Sequence, residues 1–308
     1  MASSGKYNFV VRWAGGNNAG HTVWVDDKKY STHLVPSGVF YGIASVVGPG
    51  CVLHPKSFMK ELSYLEDNGF DTSLVKVSPR CHIVTDKHIA YDKRHLAAKL
   101  GTTSKGIAPC YADKSARTGI LAKDVLSPDI IWDEKLSGNV LCEGAQGVWL
   151  DIDYGLYPYV TSSTTLPYAA CSVGFPPQKI ENIWGAAKIY DTRSGEDPRF
   201  PSSLLEDPEL SKIASLGEEF GVTTGRPRKV NWLNLDMLIA SINLTGTTNL
   251  VISKCDILKK LKKFKMFSEN SLRTFKTFDA MSKAITLIIT NECPLVKSIK
   301  YSHSPKEV

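Results

Sequence analysis

The sequence predicts an α/β protein with a largely parallel β-sheet flanked by helices. Short apolar runs typical of buried strands recur along its 308 residues, and the stretches between them are long enough for helical crossovers. Polar loops rich in glycine follow several of these runs, at the place where α/β enzymes carry their chemistry. This alternation of strands and helices implies that the strands run parallel.

Six apolar runs are the candidate strands, expected at residues 9–11, 45–47, 140–142, 183–189, 250–252 and 296–299. Helices are expected at residues 55–68, 233–243 and 278–290, the first with Phe58, Leu62 and Leu65 on one side. Residues 194–201 are rich in proline, glycine and charge and are expected to form a loop. No internal repeat is found, and we expect one domain over residues 1–308.

The composition favours a folded enzyme of a reducing compartment. With 43% hydrophobic and 22% charged residues, the chain can bury a substantial core. Its seven cysteines are scattered, odd in number and without a C-x-x-C pair, which argues against a disulfide framework or a zinc site. Neither a signal peptide nor an apolar run of about eighteen residues is found. We therefore expect a cytoplasmic protein.

Much of the net charge of +6 gathers between residues 254 and 265. Five lysines alternate there with Leu258, Leu261 and Phe264, a pattern typical of a helix with a solvated charged face and an apolar inner face. Binding of nucleic acid or of a membrane surface is the alternative interpretation of this cluster. Anionic nucleotide substrates would also suit a mildly basic protein.

Five loops combine glycine or hydroxyl groups with a polar side chain, at residues 15–22, 101–106, 143–147, 157–163 and 222–228. The first presents Asn18 and His21 directly after a strand, and a histidine can carry a proton or stabilise negative charge near neutral pH. Backbone amides and hydroxyls of such loops bind anionic oxygens, and Arg226 and Arg228 add guanidiniums suited to carboxylates or phosphates. One anionic ligand with several functional groups would explain all five loops.

Taken in this order, the loops resemble those of the adenylosuccinate synthetase family. The resemblance covers most of the chain, at residues 10–12, 18–22, 29–38, 113–117, 143–147, 151–153, 157–163, 223–228 and 253–256. It implies a fold like that of phosphate-loop NTPases and a magnesium-dependent ligase of purine nucleotide synthesis. In such a ligase GTP phosphorylates the 6-oxygen of IMP, and the amine of aspartate then displaces the phosphate. It also implies a homodimer, with neither nucleic acid nor membrane as a partner.

The resemblance assigns roles to individual residues. His21 matches the histidine that stabilises charge on the 6-oxygen and on the transferring phosphoryl group. Gly20 matches a backbone ligand of magnesium in the GTP site. The residues that match purine-nucleotide contacts are Asn18, Thr103, Arg117, Gln146, Thr161 and Arg226. Those that match aspartate contacts are Thr223, Thr224, Arg226 and Arg228, and those that match GTP contacts are Arg228, Lys254 and Asp256.

Two of these matches carry a further expectation. Arg117 matches an arginine that reaches the nucleotide of the neighbouring subunit, so complete sites would require a homodimer. Asp256 suits guanine, because a carboxylate accepts hydrogen bonds from both N1–H and the exocyclic amine, which adenine does not offer.

One part of the family's pattern has no counterpart in this sequence. Family members begin with a strand, a phosphate loop with a lysine and the aspartate that removes a purine proton, all ahead of the strand matched by residues 9–11. Gly5 and Lys6 follow no strand and are not such a loop, and no G-x-x-G-K pattern occurs later. We expect the natural chain to start upstream of Met1. The alternatives are a relative that binds nucleotide without ligating, and another chain or residue that fills the gap.

The acceptor nucleotide is left open between IMP and dGMP. The segment between Arg117 and Glu143 is short, as in compact archaeal and viral members, and some viral members act on dGMP to make 2-aminoadenine nucleotides. The position that separates the two groups lies in the stretch without a counterpart. A non-catalytic relative predicts nucleotide binding without turnover, and a basic nucleic-acid binder predicts steep salt dependence.

Overall fold

The computed structural model of the chain describes residues 1–221 and 225–304. By their internal contacts these residues fall into two units, the first of residues 1–179 and the second of residues 180–221 and 225–304. This division does not test whether the chain folds as one domain, which stays a prediction.

The strands of the first unit are β1 (Phe9–Arg12), β2 (His21–Val25), β3 (Lys28–Thr32), β4 (Ala44–Val47), β5 (Val52–Leu53), β6 (Val75–Val77), β7 (His82–Ile83) and β8 (Val140–Glu143). Its helices are α1 (Pro55–Asp67), α2 (Asp86–Tyr91), α3 (Ala97–Leu100) and α4 (Ile107–Ala116). A π-helical turn, Asp92–Leu96, links α2 to α3.

A four-stranded parallel sheet in the order β6-β4-β1-β8 lies at the centre of the first unit. β1 runs between β4 and β8, with Phe9 opposite Ala44 and Val140. The carboxyl ends of parallel strands share one edge, where functional groups collect in α/β proteins. Arg12 and Glu143, the last residues of β1 and β8, are register partners at this edge.

Helix α1 covers part of the core of this unit. Its residues Phe58, Leu62 and Leu65 are buried, as their spacing predicts, in one cluster with Val47 of β4 and Val77 of β6. Proline stands at its first position, where a missing N–H costs no helical hydrogen bond.

The strands of the second unit are β9 (Trp184–Lys188), β10 (Tyr190–Arg193), β11 (Lys229–Asn234), β12 (Asn249–Ser253), β13 (Phe264–Ser268), β14 (Ser271–Phe275) and β15 (Ser298–Tyr301). Its helices are α5 (Pro208–Leu216), α6 (Leu235–Thr245), α7 (Cys255–Leu261) and α8 (Phe278–Glu292). One sheet is parallel in the order β15-β12-β9. The other, β10-β11-β13-β14, pairs β11 with β13 in parallel and the remaining neighbours antiparallel.

The predicted fold class is confirmed, and each predicted strand and helix has a counterpart. Two elements begin two residues later than predicted. Helix α6 begins after Asn234, whose side chain accepts the amide of Met237 and caps the helix, so Leu233 belongs to β11. The last strand lies at Ser298–Tyr301 and not at 296–299. Residues 194–201 form a loop, as expected.

The helix predicted across the lysine-rich segment is wrong beyond Leu261. Lys262 has a positive φ of 56° and ends α7, and Phe264 begins β13. Alternation of lysine with apolar residues fits a strand as well as a helix face over so short a stretch, and pairing with β14 selects the strand. No helix among residues 1–221 and 225–304 is both long and apolar enough to span a membrane.

Candidate functional site

The first glycine loop, residues 13–20, is held tightly at the end of β1. The amide of Gly15 donates to the hydroxyl of Tyr111 on α4 (3.0 Å), and that hydroxyl donates to the carbonyl of Gly50 (2.7 Å). A Cβ on Gly16 would lie 2.6 Å from the Cδ1 atom of Ile107 and 2.8 Å from a backbone oxygen, so only glycine fits there. This packing fixes the backbone that leads to His21, the first residue of β2.

His21 belongs to a chain of polar contacts that begins in β8. The guanidinium of Arg12 is in hydrogen-bond contact with Nε2 of His21 through Nη1, and its Nη2 donates to Oε2 of Glu143 at 3.2 Å. Glu143 accepts the backbone amide of Ser37 at 3.1 Å and its hydroxyl as well. Arg12 is 2% exposed, so the guanidinium of this ion pair is shielded from solvent, while the side chain of Glu143 is 21% exposed.

The environment disfavours a charged His21. Burial, the positive charge of Arg12 and then that of His33 lower the pKa of the imidazole to about 3. The side chain is therefore a neutral hydrogen-bonding group at physiological pH in the free protein.

Asn18 and Gln146, two of the predicted nucleotide contacts, lie in hydrogen-bond contact with each other. Nε2 of Gln146 donates to Oδ1 of Asn18 at 3.3 Å. Gln146 has a positive φ of 67°, a conformation that costs free energy for a side chain of this kind. Within the described residues its Oε1 atom is buried without a hydrogen-bond partner, and so is Oδ1 of Asn17. Unpaired buried acceptors of this kind are suited to a ligand's donors.

The loop that carries Thr103 is anchored by a buried carboxylate. Asp92, 2% exposed, accepts the hydroxyl of Thr102 at 2.6 Å and the amide of Gly106 at 2.8 Å. Both bonds fix residues 101–106 at the amino end of the ten-residue helix α4. Arg117 caps the other end of α4 with a positive φ of 65° and is exposed.

Asp151 anchors the loop that carries Thr161 in the same way. Its buried carboxylate accepts the amides of Asp153 (3.0 Å), Tyr154 (3.2 Å) and Thr165 (2.6 Å). The amide of Thr161 donates to the carbonyl of Leu150 at 2.8 Å. A turn with this many internal bonds presents Thr161 from a fixed backbone.

In the second unit, Arg228 is held by a buried carboxylate, Glu219. The carboxylate accepts from Nζ of Lys188 (2.7 Å), the hydroxyl of Tyr190 (2.8 Å) and Nη1 of Arg228 (2.9 Å). Burial acts to raise the pKa of Glu219, but Lys188 and the hydrogen bonds outweigh it and leave that pKa below its usual value. For Lys188, burial outweighs the attraction of Glu219 and lowers the pKa to about 8.

The residues predicted to contact guanine flank the start of α7. Lys254 precedes the helix with a positive φ of 63°, and its Nζ donates to the carbonyl of Gly217 at 2.8 Å. Lys254 and Arg228 thus both bind the segment 217–219. Oδ2 of Asp256 accepts from Nζ of Lys260 at 2.8 Å, an i,i+4 pair at the surface. Such pairs contribute little free energy, so a ligand can displace Lys260.

Two predicted aspartate contacts, Thr223 and Thr224, lie outside the described residues, and the described Arg226 beside them is exposed. The residues that sequence reasoning missed are the buried anchors Arg12, Asp92, Asp151 and Glu219. Each is a charged residue in or beside an apolar strand or a glycine loop. That placement indicates a buried anchor, because a charged side chain that cannot reach solvent needs a partner of opposite charge or a hydrogen bond.

Among residues 1–221 and 225–304, no group of three His, Cys, Asp or Glu side chains could hold a metal ion. All seven cysteines are free thiols, and burial raises the pKa of Cys51 to about 12.

Comparisons with known proteins show which family this chain resembles. A family model described as adenylosuccinate synthetase matches residues 2–140 and 130–286. The adenylosuccinate synthetase of Thermodesulfovibrio yellowstonii is 38% identical over 318 residues, covering 85% of this chain and 74% of that protein. That of Clostridium novyi is 39% identical over 316 residues, covering 83% and 74%.

Two solved structures resemble the fold. The fully ligated adenylosuccinate synthetase from Plasmodium falciparum superposes with a TM-score of 0.83 at 26% identity, covering 97% of this chain and 92% of that one. The succinoaminodeoxyadenylate synthetase of cyanophage S-2L, bound to dGMP and dATP, gives a TM-score of 0.74 over 99% and 87% of the two chains. Its identity of 17% limits that likeness to the fold.

Proposed function

Because this chain belongs to the adenylosuccinate synthetase family, we propose that it joins the amine of L-aspartate to the 6-position of IMP at the expense of GTP. The family, predicted from the order of the loops, is confirmed, and with it the class of enzyme, a ligase of purine nucleotide synthesis. The proposal extends to the substrates and to the residues that bind them, in a cytoplasmic protein.

The reaction needs a poor leaving group to be converted into a good one. The γ-phosphoryl group of GTP passes to the 6-oxygen of IMP and GDP leaves. The aspartate amine then attacks C6, and phosphate departs with the former 6-oxygen. Negative charge develops on that oxygen and on the transferred group, so a fixed donor nearby lowers the barrier. The observation that carries the proposal is His21, a neutral imidazole fixed by Arg12 at the edge of the parallel sheet.

The remaining assignments follow the chemistry of each group. Asn18 and Gln146, with Thr103, Thr161 and Arg226, would bind the purine nucleotide, and the unpaired Oε1 of Gln146 supports this role. Thr223, Thr224, Arg226 and Arg228 would bind the two carboxylates of aspartate. Arg228 and Lys254 would contact GTP, and Asp256 would accept the N1–H and amine of its guanine.

Magnesium is part of this proposal. When bound, Mg²⁺ would neutralise charge on the phosphates of GTP. The fit rests on oxygen donors, since Mg²⁺ takes phosphate, water and few protein ligands, and the carbonyl of Gly20 is the protein ligand proposed. A homodimer is proposed as well, and the exposed position of Arg117 at the end of α4 supports a role toward a neighbouring subunit.

Turnover of this chain with aspartate, GTP and magnesium, offered IMP and dGMP in separate reactions, tests the proposal. We expect GDP and the succinylated product from IMP, and a loss of about 10²- to 10³-fold in kcat for His21→Gln, the magnitude typical of removing one oxyanion donor. Product from dGMP alone would instead assign the viral activity. Nucleotide binding by calorimetry with no product from either acceptor would identify a binding protein and contradict the proposal.

A further inference from the structure

We propose that Arg12 and Glu143 are positioning residues that fix the tautomer of His21, so that His21 offers the N–H of Nδ1 to the reacting oxygen. The identity of that oxygen rests on the proposed function. The tautomer itself is a property of the free protein and can be measured without any substrate.

The tautomer follows from the donor inventory of the two side chains. A guanidinium has five N–H donors and no acceptor. Its Nη1 is in hydrogen-bond contact with Nε2 of His21, so Nε2 must supply a lone pair. A neutral imidazole has one N–H, which then lies on Nδ1. Nδ1 has no partner among the described residues and is not among the buried unpaired atoms, so it is open to a ligand.

The guanidinium keeps its place because the sheet and Glu143 hold it. Arg12 is the last residue of β1 and Glu143 the last of β8, and the two are register partners in adjacent strands. The carboxylate bonds Nη2 of Arg12 on one side and the amide and hydroxyl of Ser37 on the other. A donor fixed in this way costs little reorganisation when charge develops on a substrate.

The ¹⁵N chemical shifts of the histidine rings in the full chain measure the tautomer directly. His21→Gln assigns the His21 signals among seven histidines. His88 is an internal reference with the opposite tautomer. Its Nδ1 accepts the amide of Thr85 at 3.1 Å, and its Nε2 faces Asp113 at 2.9 Å. We expect His21 protonated at Nδ1 and His88 protonated at Nε2. A proton on Nε2 of His21 at neutral pH overturns the inference.

Variants of Arg12 connect the tautomer to turnover. Arg12→Met removes the donor, and we expect a mixed tautomer and a fall in kcat of about tenfold or more with the KM for aspartate within about twofold. Arg12→Lys keeps a donor and is expected to restore the Nδ1–H tautomer. Arg80→Met, which alters an exposed arginine of the same unit, is the control.

The outcomes separate this inference from the proposed function. Arg12→Met with wild-type tautomer and kcat contradicts the positioning role. An Nδ1–H tautomer in a protein without turnover supports the inference while the proposed function fails. If Arg12→Met does not fold, the wild-type spectrum and Glu143→Gln still decide, since Glu143→Gln is expected to broaden or shift the His21 signals.

Discussion

Lys188 holds a charge in a crowded and partly buried position. Its ammonium binds Glu219 while Arg228 and Lys254 add like charge nearby, and burial is the largest cause of its low pKa of about 8. In the unfolded chain the same group keeps its proton up to its ordinary value of 10.5. Between these two values the unfolded state binds more protons, so the free energy of unfolding rises with pH through this group.

We therefore expect the free energy of unfolding to increase by about 1 to 2 kcal/mol between about pH 8 and pH 9.5 from Lys188 alone. Urea denaturation of the wild type and of Lys188→Met at both pH values measures this, and the increase should be missing in the variant. Lys179→Met, at an exposed lysine, should keep it. An equal change of the unfolding free energy with pH in the wild type and in Lys188→Met would show that the pKa of Lys188 is not lowered by folding.

At the scale of elements, the loop before α4 depends on a single buried carboxylate. In the wild type, the Thr102 hydroxyl and the Gly106 amide both donate to Asp92. Asp92→Asn would turn one of the accepting oxygens into an NH₂ group that faces one of these two donors. We expect a loss of about 1 to 3 kcal/mol in unfolding free energy, the cost of an unsatisfied buried donor. The KM for the purine nucleotide should rise too, because Thr103 lies in this loop.

Urea denaturation and steady-state kinetics test this expectation against Asp67→Asn, an exposed carboxylate at the end of α1 whose change should cost less than about 0.5 kcal/mol. A destabilised Asp92→Asn protein with an unchanged KM would separate the anchor from the nucleotide site. An equal stability of both variants would contradict the role of Asp92.

The elements that sequence patterns predict well are those whose patterns are local. Apolar runs mark β1, β4, β8 and β12, and the spacing of Phe58, Leu62 and Leu65 marks α1. Strands β13 and β14 were missed because each is stabilised by its antiparallel partner, which no local pattern reveals. The hairpin of β2 and β3 was missed for the same reason.

The residues of the candidate site also divide into those that local sequence patterns predict and those that depend on long-range contacts. Residues that would touch a ligand stand in glycine loops with recognisable neighbours, so His21, Asn18 and Gln146 could be selected from the sequence. The partners of the residues that hold them could not, because Arg12 meets Glu143 across 131 positions of sequence and Asp92 accepts the hydroxyl of Thr102 and the amide of Gly106. Such pairings depend on strand order and on helix ends, which only the folded chain defines.

At the scale of the whole molecule, fewer lysines are available to bind phosphate groups than the composition suggests. In the lysine-rich segment, Lys263 and Lys265 both bind Glu209, and Lys260 binds Asp256. Nζ of Lys259 lies 4.8 Å from the ring centre of Phe278. Three of the five lysines at residues 259–265 are thus paired with a carboxylate, which favours nucleotide substrates over nucleic acid as the explanation of the net charge of +6.

Fluorescence anisotropy with a labelled DNA duplex at several salt concentrations tests this view. Binding by the wild type should be weak, with a slope of log K against log salt no steeper than about −1. Glu209→Gln frees two lysines, so the slope should steepen by about 2 while turnover is unchanged. Glu206→Gln, at an exposed glutamate nearby, should leave the slope as in the wild type. A wild-type slope steeper than about −4 would instead mean that this surface neutralises several phosphates at once and that nucleic acid is a true partner.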